Sequence, residues 1–238
     1  MDIFDCHYHI EENQEEYDLD VVGRNVIFNF ILDYNNHKHK LKDTDSLTLV
    51  LDCFEKNNRE FVLEEFNSGR VNAVKINSRD QGFPKEVYPQ IFSTLEKIPA
   101  HLPIIYDAFY FSHILEHQPS LKHLIDLCVQ FPDRKFIVAH SGGYEVLKYF
   151  FHLRTLPNVY YDLSLSLLYL NDSSCFLDLV KLIKYTDKSK IMFGTDYFWA
   201  PAKAQKDIFD SIIENLKISD FDAKKMYCTN AKELFLRE

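Results

Sequence analysis

The sequence predicts a (β/α)8 barrel, a fold in which eight parallel strands alternate with helices. Short apolar runs typical of strands recur eight times along the 238 residues, and most are separated by segments with helical spacing. Several runs are apolar at consecutive positions, which is typical of strands buried on both faces of a parallel sheet. The length suits one such barrel, and no polar linker divides the chain. Residues 1–238 are therefore predicted to form a single domain.

The first predicted strand lies within the opening ten residues, MDIFDCHYHI. Asp5, His7 and His9 occupy every second position there, and side chains alternate between the two faces of a strand. We therefore expect all three to point the same way. The other seven predicted strands cover residues 25–32, 47–53, 71–77, 102–107, 135–140, 158–163 and 190–195.

Helices are predicted between the later strands, and the first units fit a barrel less well. Helical spacing covers residues 59–66, 87–98, 121–131, 176–183 and 208–216. Gly142-Gly143 opens a further helix, and the last one ends near Phe235. The connections at 11–24 and 33–45 are charged and short, so shortened helices are expected there. A doubly wound sheet would also fit the alternation, but it usually has fewer strands and a glycine-rich first turn, and this chain has no glycine-rich phosphate-binding motif.

Composition narrows the range of partners and compartments. A net charge of −9 offers no basic surface for nucleic acid and no polybasic anchor for a membrane. The five cysteines are scattered, which is typical of a reducing compartment, and no run approaches 18 apolar residues. We expect a cytoplasmic protein that acts on a small-molecule substrate, without nucleic-acid or membrane partners. A homodimer is the default oligomeric state.

Ionisable residues close several predicted strands, at the end of a barrel where catalytic residues gather. Such residues are costly to bury unless they bind a ligand or pair with one another. They are His7 and His9 on the first strand, Lys75 on the fourth, Asp107 on the fifth, His140 on the sixth, and Asp196 directly after the eighth. Two imidazoles two residues apart can bind one divalent metal. Two of these residues also have a purely structural interpretation. Asp196 could cap the helix that follows it, and His140 could be a hydrogen-bonded histidine of the core.

Several motifs recur in a characteristic order. The opening D-x-H-x-H at residues 5–9 is followed by FPD at 131–133 and FIVAHSGG at 136–143, then by NVYYDLS at 158–164, IMFGTDY at 191–197 and NAKELF at 230–235. Together they resemble the amidohydrolase superfamily, in particular the amidohydrolase-2 branch that includes aminocarboxymuconate-semialdehyde decarboxylase and related metal-dependent hydrolases. The resemblance covers nearly the whole chain and is closest from residue 131 onward.

The resemblance implies a metal-dependent activity. His7 and His9 would bind one divalent metal, most often Zn2+, with Mn2+ or Fe2+ as alternatives. Asp196 would be a further ligand or a general base acting on metal-bound water, and His140 would orient or protonate the reacting group. The implied reaction is hydrolysis of a small ester, lactone or amide by a metal-activated water. The alternative is a non-oxidative decarboxylation, catalysed by a lyase with the same site.

One residue departs from the pattern of the branch, which usually has a metal-binding histidine where this chain has Asp107. Asp107 could replace that imidazole, could face the substrate, or could mark a barrel that has lost its metal and serves as a binding protein. Lys75 is expected to contact an anion, and Arg79 a substrate carboxylate. Tyr197 and Trp199 are expected to wall the pocket with aromatic surface.

Overall fold

The computed structural model describes residues 1–10, 17–77, 86, 88–109 and 121–236. Eight parallel strands lie side by side in chain order, which confirms the predicted (β/α)8 barrel. They are β1 (Phe4–Tyr8), β2 (Gly23–Phe28), β3 (Ser46–Val50), β4 (Ala73–Ile76), β5 (Ile104–Asp107), β6 (Phe136–Ala139), β7 (Val159–Asp162) and β8 (Ile191–Met192).

The barrel is closed by the segment that follows β8. Cys6 N donates to Phe193 O at 3.1 Å, and His9 N donates to Tyr197 O at 2.9 Å. These bonds extend the short eighth strand along β1 for several residues. The closure therefore brings the residues after β8 next to the two histidines of β1.

Helices follow most strands. They are α1 (Ile31–His37), α2 (Lys56–Asn67), α3 (Tyr88–Leu95), α4 (Leu121–Gln130), α5 (Val146–Leu153), α6 (Ser166–Tyr169), α7 (Cys175–Tyr185), α8 (Ala202–Leu216), α9 (Asp220–Lys224) and α10 (Asn230–Phe235). The helix between β2 and β3 has seven residues, in line with the predicted shortening. The predicted strand at 25–32 was too long, because β2 ends at Phe28 and Ile31 already begins α1. Among the described helices, none has the length and apolar character needed to cross a membrane.

Side chains of the strands alternate between the helices and the barrel interior. Val26 and Phe28 of β2 pack in the helix-facing core, whereas Ile27 belongs to a separate inner cluster. The inner cluster comprises Phe4, Cys6, Ile27, Ala73, Ile105, Ile137, Ala139, Met192, Cys228, Ala231 and Phe235. The members from α10 cover one end of the barrel. Two residues beyond Ala73 and Ile105, the same alternation places Lys75 and Asp107 at the opposite end of the interior.

Asp5 does not share a face with His7 and His9, and that expectation was wrong. Its carboxylate accepts hydrogen bonds from Tyr17 OH at 2.7 Å and from Thr195 Oγ1 at 2.6 Å. Burial raises the pKa of Asp5 to about 6. Asp5 therefore ties β1 to the segment after β8 and does not take part in the histidine cluster.

An irregularity in β1 explains this difference. The pairing of β1 with β2 shifts register between Asp5 and Tyr8. Cys6 belongs to the inner cluster, yet the next residue, His7, also contacts an inward carboxylate, that of Asp162. Two consecutive residues can reach the same side of a sheet only where the regular alternation is broken.

His123 is a buried histidine outside the barrel interior. It lies on α4 with its ring 4.5 Å from that of Tyr88, and its Nδ1 is 3.1 Å from Tyr106 OH. Burial lowers the pKa of His123 to about 4. The folded protein therefore holds this ring neutral at pH values where an exposed imidazole takes up a proton.

We predict that His123 makes the fold sensitive to acid. In the unfolded chain it protonates below about pH 6.5, whereas in the folded chain it does so only near pH 4, so stability falls as pH decreases through that window. Between pH 7 and pH 5 the loss should be about 2 kcal/mol, measured by urea unfolding. His123→Phe should remove this part of the pH dependence. His39→Gln, which changes an exposed histidine, should keep it, and an unchanged slope in His123→Phe would refute the assignment.

Candidate metal and substrate site

His7, His9 and Asp196 converge at the end of the barrel interior, as predicted from their positions. Asp196 Oδ1 lies 3.5 Å from His7 Nε2 and 3.1 Å from His9 Nε2. All three residues are buried. In a tetrahedral zinc site, neighbouring ligand atoms are roughly 3.4 Å apart, because each bond is about 2.0–2.2 Å long. Both spacings from Asp196 suit ligands of one metal ion, and all three ligand atoms lie within 4.8 Å of one another.

Hydrogen bonds fix which nitrogen of each histidine faces this point. His9 Nδ1 lies 2.8 Å from Ile27 O, and a carbonyl can only accept, so Nδ1 is the protonated nitrogen. His7 Nδ1 donates in the same way to Asp162 Oδ2 at 2.6 Å. Both Nε2 atoms therefore direct lone pairs at Asp196. A carboxylate ordering a ligand histidine in this way is the usual arrangement around protein-bound metals.

The electrostatics of the cluster also favour a cation. Two imidazole lone pairs and a carboxylate oxygen are all acceptors, and they meet within a few ångströms. Among the described inward-facing residues of this region there are three buried carboxylates and one buried ammonium group, which leaves two negative charges unbalanced. The carboxylates belong to Asp107, Asp162 and Asp196, and the ammonium group belongs to Lys75. A divalent cation would neutralise the two remaining negative charges.

Both carboxylates that contact His7 are held in the ionised form. Burial disfavours the charge, yet His7 and the hydrogen bond that it donates keep the pKa of Asp162 below its usual value. Burial likewise disfavours the charge on Asp196, but the positive charge that His7, His9 and His140 carry when protonated, together with a hydrogen bond from His9, holds the pKa of this carboxyl well below its usual value. Ionised Asp196 is the form that binds a metal.

His140 stands beside the predicted ligands. Its ring centre is 4.8 Å from that of His7, and its Nδ1 lies 3.2 Å from Ser164 O. Since that carbonyl can only accept, Nδ1 carries the proton and Nε2 is left as an acceptor. Burial lowers the pKa of His140, which keeps the ring neutral near pH 7.

The turn that carries His140 differs from the predicted helix start. His140, Ser141, Gly142 and Gly143 all have left-handed backbone angles, and α5 begins only at Val146. A Cβ on Gly142 would lie 2.5 Å from the Tyr149 ring, so both the angle and the space require glycine. The Gly-Gly pair therefore shapes the turn that presents His140, and the helix starts later.

Lys75 and Asp107 form a buried pair next to His7. Lys75 Nζ is 3.7 Å from Asp107 Oδ2 and 3.3 Å from His7 Nε2. Asp107 Oδ1 accepts from Phe109 N at 3.1 Å. Among the described residues, Asp107 is not part of the His/Asp groups whose ligand atoms converge. This geometry makes it a partner of Lys75 and gives no support to a role as metal ligand.

An open pocket leads to the cluster, with about 620 Å³ of empty space including its mouth. The cavity itself measures about 160 Å³, less than the roughly 300–1,000 Å³ of pockets for drug-sized ligands, so it suits a small molecule. The residues that line it are His9, Asn29, Lys75, Phe109, His140, Leu165, Tyr169, Asp196 and Trp199.

The pocket contains some of the predicted substrate contacts. Lys75 and Trp199 line it, and their contact with a substrate stays a prediction. Tyr197 instead stacks on Tyr8, with ring centres 5.8 Å apart, and is not among the described lining residues, so its predicted contact with substrate gains no support. Arg79 lies outside the described residues.

Three residues of the site carried no predicted role. Asp162 is the last residue of β7, and its carboxylate orients His7. An ionisable residue at the end of a strand is the same signal that pointed to the other candidate site residues. Gly194 allows a close approach, because an added Cβ would lie 2.8 Å from Cys6 Sγ and 2.9 Å from Asp162 Oδ1. Asn29 lines the pocket, whereas the predicted strand at 25–32 places it in the middle of a strand. No sequence signal distinguished Gly194 from an ordinary glycine.

A barrel whose strand ends bring two histidines and a carboxylate together has the architecture of a large class of barrel enzymes. A sequence profile of the family described as Amidohydrolase matches residues 66–237, well over half of the chain. The chain therefore belongs to the amidohydrolase family, in its amidohydrolase-2 branch, which indicates a metal-dependent enzyme. No curated protein sequence matches the chain.

Solved structures with the same fold are distant in sequence. A 2,6-dihydroxybenzoate decarboxylase from Rhizobium is 13% identical, with a TM-score of 0.67 and 98% coverage of both chains. A dihydroxybenzoic acid decarboxylase from Polaromonas, solved with manganese and 2-nitroresorcinol, is 14% identical, with a TM-score of 0.54 and coverage of 98% of this chain and 96% of its own. An inactive dihydroorotase-like domain from Chaetomium thermophilum is 13% identical, with a TM-score of 0.66 and coverage of 92% and 70%. At these identities the likeness concerns the fold.

We predict that Asp162→Asn weakens metal binding by about 10- to 100-fold, as is typical for the loss of a carboxylate that orients a ligand histidine. An amide can present its NH2 group to His7 Nδ1, which destabilises the tautomer that points Nε2 at the metal. Competition with a chromophoric chelator measures the affinity. Asp172→Asn, a change of an exposed carboxylate, should leave it unchanged. Wild-type affinity in Asp162→Asn would show that the bond does not control the site.

Proposed function

We propose that this protein is a metal-dependent hydrolase that acts on a small ester, lactone or amide. The observation that carries the proposal is the convergence of His7 Nε2, His9 Nε2 and Asp196 Oδ1 at the base of an open pocket. These three residues would hold one divalent metal, with zinc the ion that best suits the ligand set. Bound there, the metal would supply a Lewis acid that polarises the carbonyl group and acidifies water.

The residues around the ligands would orient the substrate and move protons. Asp196 has a second carboxylate oxygen, which would accept a proton from the attacking water. His140 Nε2 is an acceptor at neutral pH, so it would hold a hydroxyl or a water by accepting its hydrogen bond and would pass on a proton only after receiving one. Phe109, Leu165 and Trp199 would exclude water from the apolar part of the substrate.

Metal content tests the first part of the proposal. We expect about one zinc, manganese or iron ion per purified chain by elemental analysis, and a rise in melting temperature when metal is added to stripped protein, because a ligand of the native state stabilises it. The double variant His7→Ala/His9→Ala should lose both. The matched control is His37→Ala/His39→Ala, which removes the other H-x-H pair, in which His39 is exposed and His37 is half-buried. A wild-type protein without metal, whose melting ignores added zinc, would indicate a binding protein with a degenerate site.

A decarboxylase is the second candidate, and Lys75 favours it. A buried ammonium group beside the predicted ligands is suited to hold a substrate carboxylate. The aromatic side chains Phe109, Tyr169 and Trp199 would face a flat ring. Two of the similar solved structures are named as decarboxylases of dihydroxybenzoic acids, which makes small aromatic acids the first compounds to assay.

Product analysis separates the two reactions. Metal-loaded protein is incubated with panels of lactones, esters, amides and aromatic carboxylic acids, while acid release and carbon dioxide are measured in parallel. We predict that His140→Gln lowers kcat by about 100-fold or more in whichever reaction occurs, because the glutamine cannot carry a proton. Metal content should stay at the wild-type level in that variant. Wild-type kcat in His140→Gln would exclude a catalytic role for His140.

A further inference from the structure

Asn29 lies directly after β2, on the side of the chain that faces the barrel interior. Ile27 is part of the inner cluster, and its carbonyl meets His9 Nδ1 at 2.8 Å. Alternation along the strand places Asn29 on the same side, one step closer to the pocket. Asn29 is accordingly among the lining residues, together with His9 and Lys75.

The side chain of Asn29 carries a buried acceptor with no partner. Its Oδ1 is shielded from solvent and receives no hydrogen bond from the described residues. Asn25, four positions earlier on the same face, provides the contrast. Its Oδ1 accepts from Ser46 Oγ and Thr48 Oγ1, each at 2.8 Å, and its Nδ2 donates to Cys6 O at 3.1 Å. Asn25 therefore joins three strands of the barrel, whereas the amide oxygen of Asn29 serves no such structural purpose.

A buried acceptor without a donor destabilises the folded protein, and in a native structure such a group calls for an explanation, such as a contact with a water, an ion or a ligand. Asn29 lines the pocket, so a donor can come from that space once a rotation about the Cβ–Cγ bond turns Oδ1, which is shielded here, towards it. We propose that Asn29 is a specificity-determining residue that accepts a hydrogen bond from a hydroxyl or N–H group of the substrate. The inference rests on the proposed function in one respect, namely that the substrate binds in this pocket.

The neighbouring groups narrow the substrate class further. Lys75 on β4 presents an ammonium group to the same pocket, which suits a carboxylate or carbonyl oxygen. Phe109 and Trp199 supply apolar surface to the same pocket. A matching molecule carries a hydrogen-bond donor close to an acidic or carbonyl group, on a small apolar frame.

Trp199 provides a direct readout of binding, because it is the single tryptophan of the chain and lines the pocket. Metal-loaded protein is titrated with matched acids while tryptophan fluorescence is recorded: mandelate against O-methylmandelate, and 3-hydroxybenzoate against 3-methoxybenzoate. The methoxy group keeps an acceptor and removes the donor. We expect the hydroxyl form of at least one pair to bind about tenfold more tightly, since the methoxy form leaves the buried acceptor unpaired.

Variants separate the hydrogen bond from the shape of the pocket. Asn29→Ala should abolish the preference for the hydroxyl form, whereas Asn29→Asp, which keeps an acceptor, should retain it while binding all anions more weakly. Asn215→Ala, on the exposed face of α8, is the control and should behave as the wild type. Thermal unfolding and metal content are measured on every sample, so that loss of fold or of metal is recognised separately.

Three results would overturn the proposal. They are equal binding of both members of each pair, no quenching by either hydroxyl form up to millimolar concentrations, and an unchanged preference in a folded Asn29→Ala. Each can occur in a protein that holds one metal ion per chain, so the proposed function would survive it. Loss of metal in the wild type would instead count against the proposed function.

Discussion

The candidate site depends on the hydrogen bond from His7 Nδ1 to Asp162 Oδ2, which joins β1 to β7 across 155 positions of the chain. Asp162 also accepts from Ser164 N at 2.7 Å and from Ser164 Oγ at 2.9 Å. The carbonyl oxygen of Ser164 in turn accepts a hydrogen bond from His140 Nδ1. One carboxylate thus orients His7 directly and His140 through the neighbouring serine, so both rings present Nε2 to the same space.

This arrangement needs a backbone that departs from regular barrel geometry at two places. The register shift in β1 allows His7 to reach the interior although Cys6 already does so. Gly194, in the segment that closes the barrel, leaves room for Cys6 and Asp162 where any side chain would collide with them. Both departures lie where β1 meets the end of β8, which is the seam of the barrel. The seam is therefore adapted to the histidine cluster as well as to closure.

The sequence was a good guide to the fold because periodicity is a local property. Apolar runs that repeat eight times determine an alternation of strands and helices, and ionisable residues at strand ends made His7, His9, His140 and Asp196 the candidates for the site. The register shift in β1 could not be predicted, because it results from pairing with a strand that begins fifteen residues later. The direction of Asp5 followed from that shift and was misjudged for the same reason.

The roles of the second layer were harder to predict, since they depend on which strand ends become neighbours in space. Asp162 and Asp107 both close a buried strand, and the sequence gives them the same appearance. The structure separates them by their partners, which are a histidine of the cluster for Asp162 and Lys75 for Asp107. Similarly, Asn25 and Asn29 differ by four positions on one strand face, yet only Asn25 finds donors on β3.

The pair of Lys75 and Asp107 also bears on the histidine that the resemblance leads one to expect at the end of β5. A neutral imidazole and a lysine paired with an aspartate carry the same net charge. Because Asp107 is paired with Lys75, its carboxylate adds no unpaired charge beside His7, His9 and Asp196, and these three still suffice for a catalytic metal site with an open position. The same pair places the ammonium group of Lys75 3.3 Å from a predicted ligand, His7 Nε2. The departure thus changes what the pocket can bind and leaves the charge available to a divalent cation as it was.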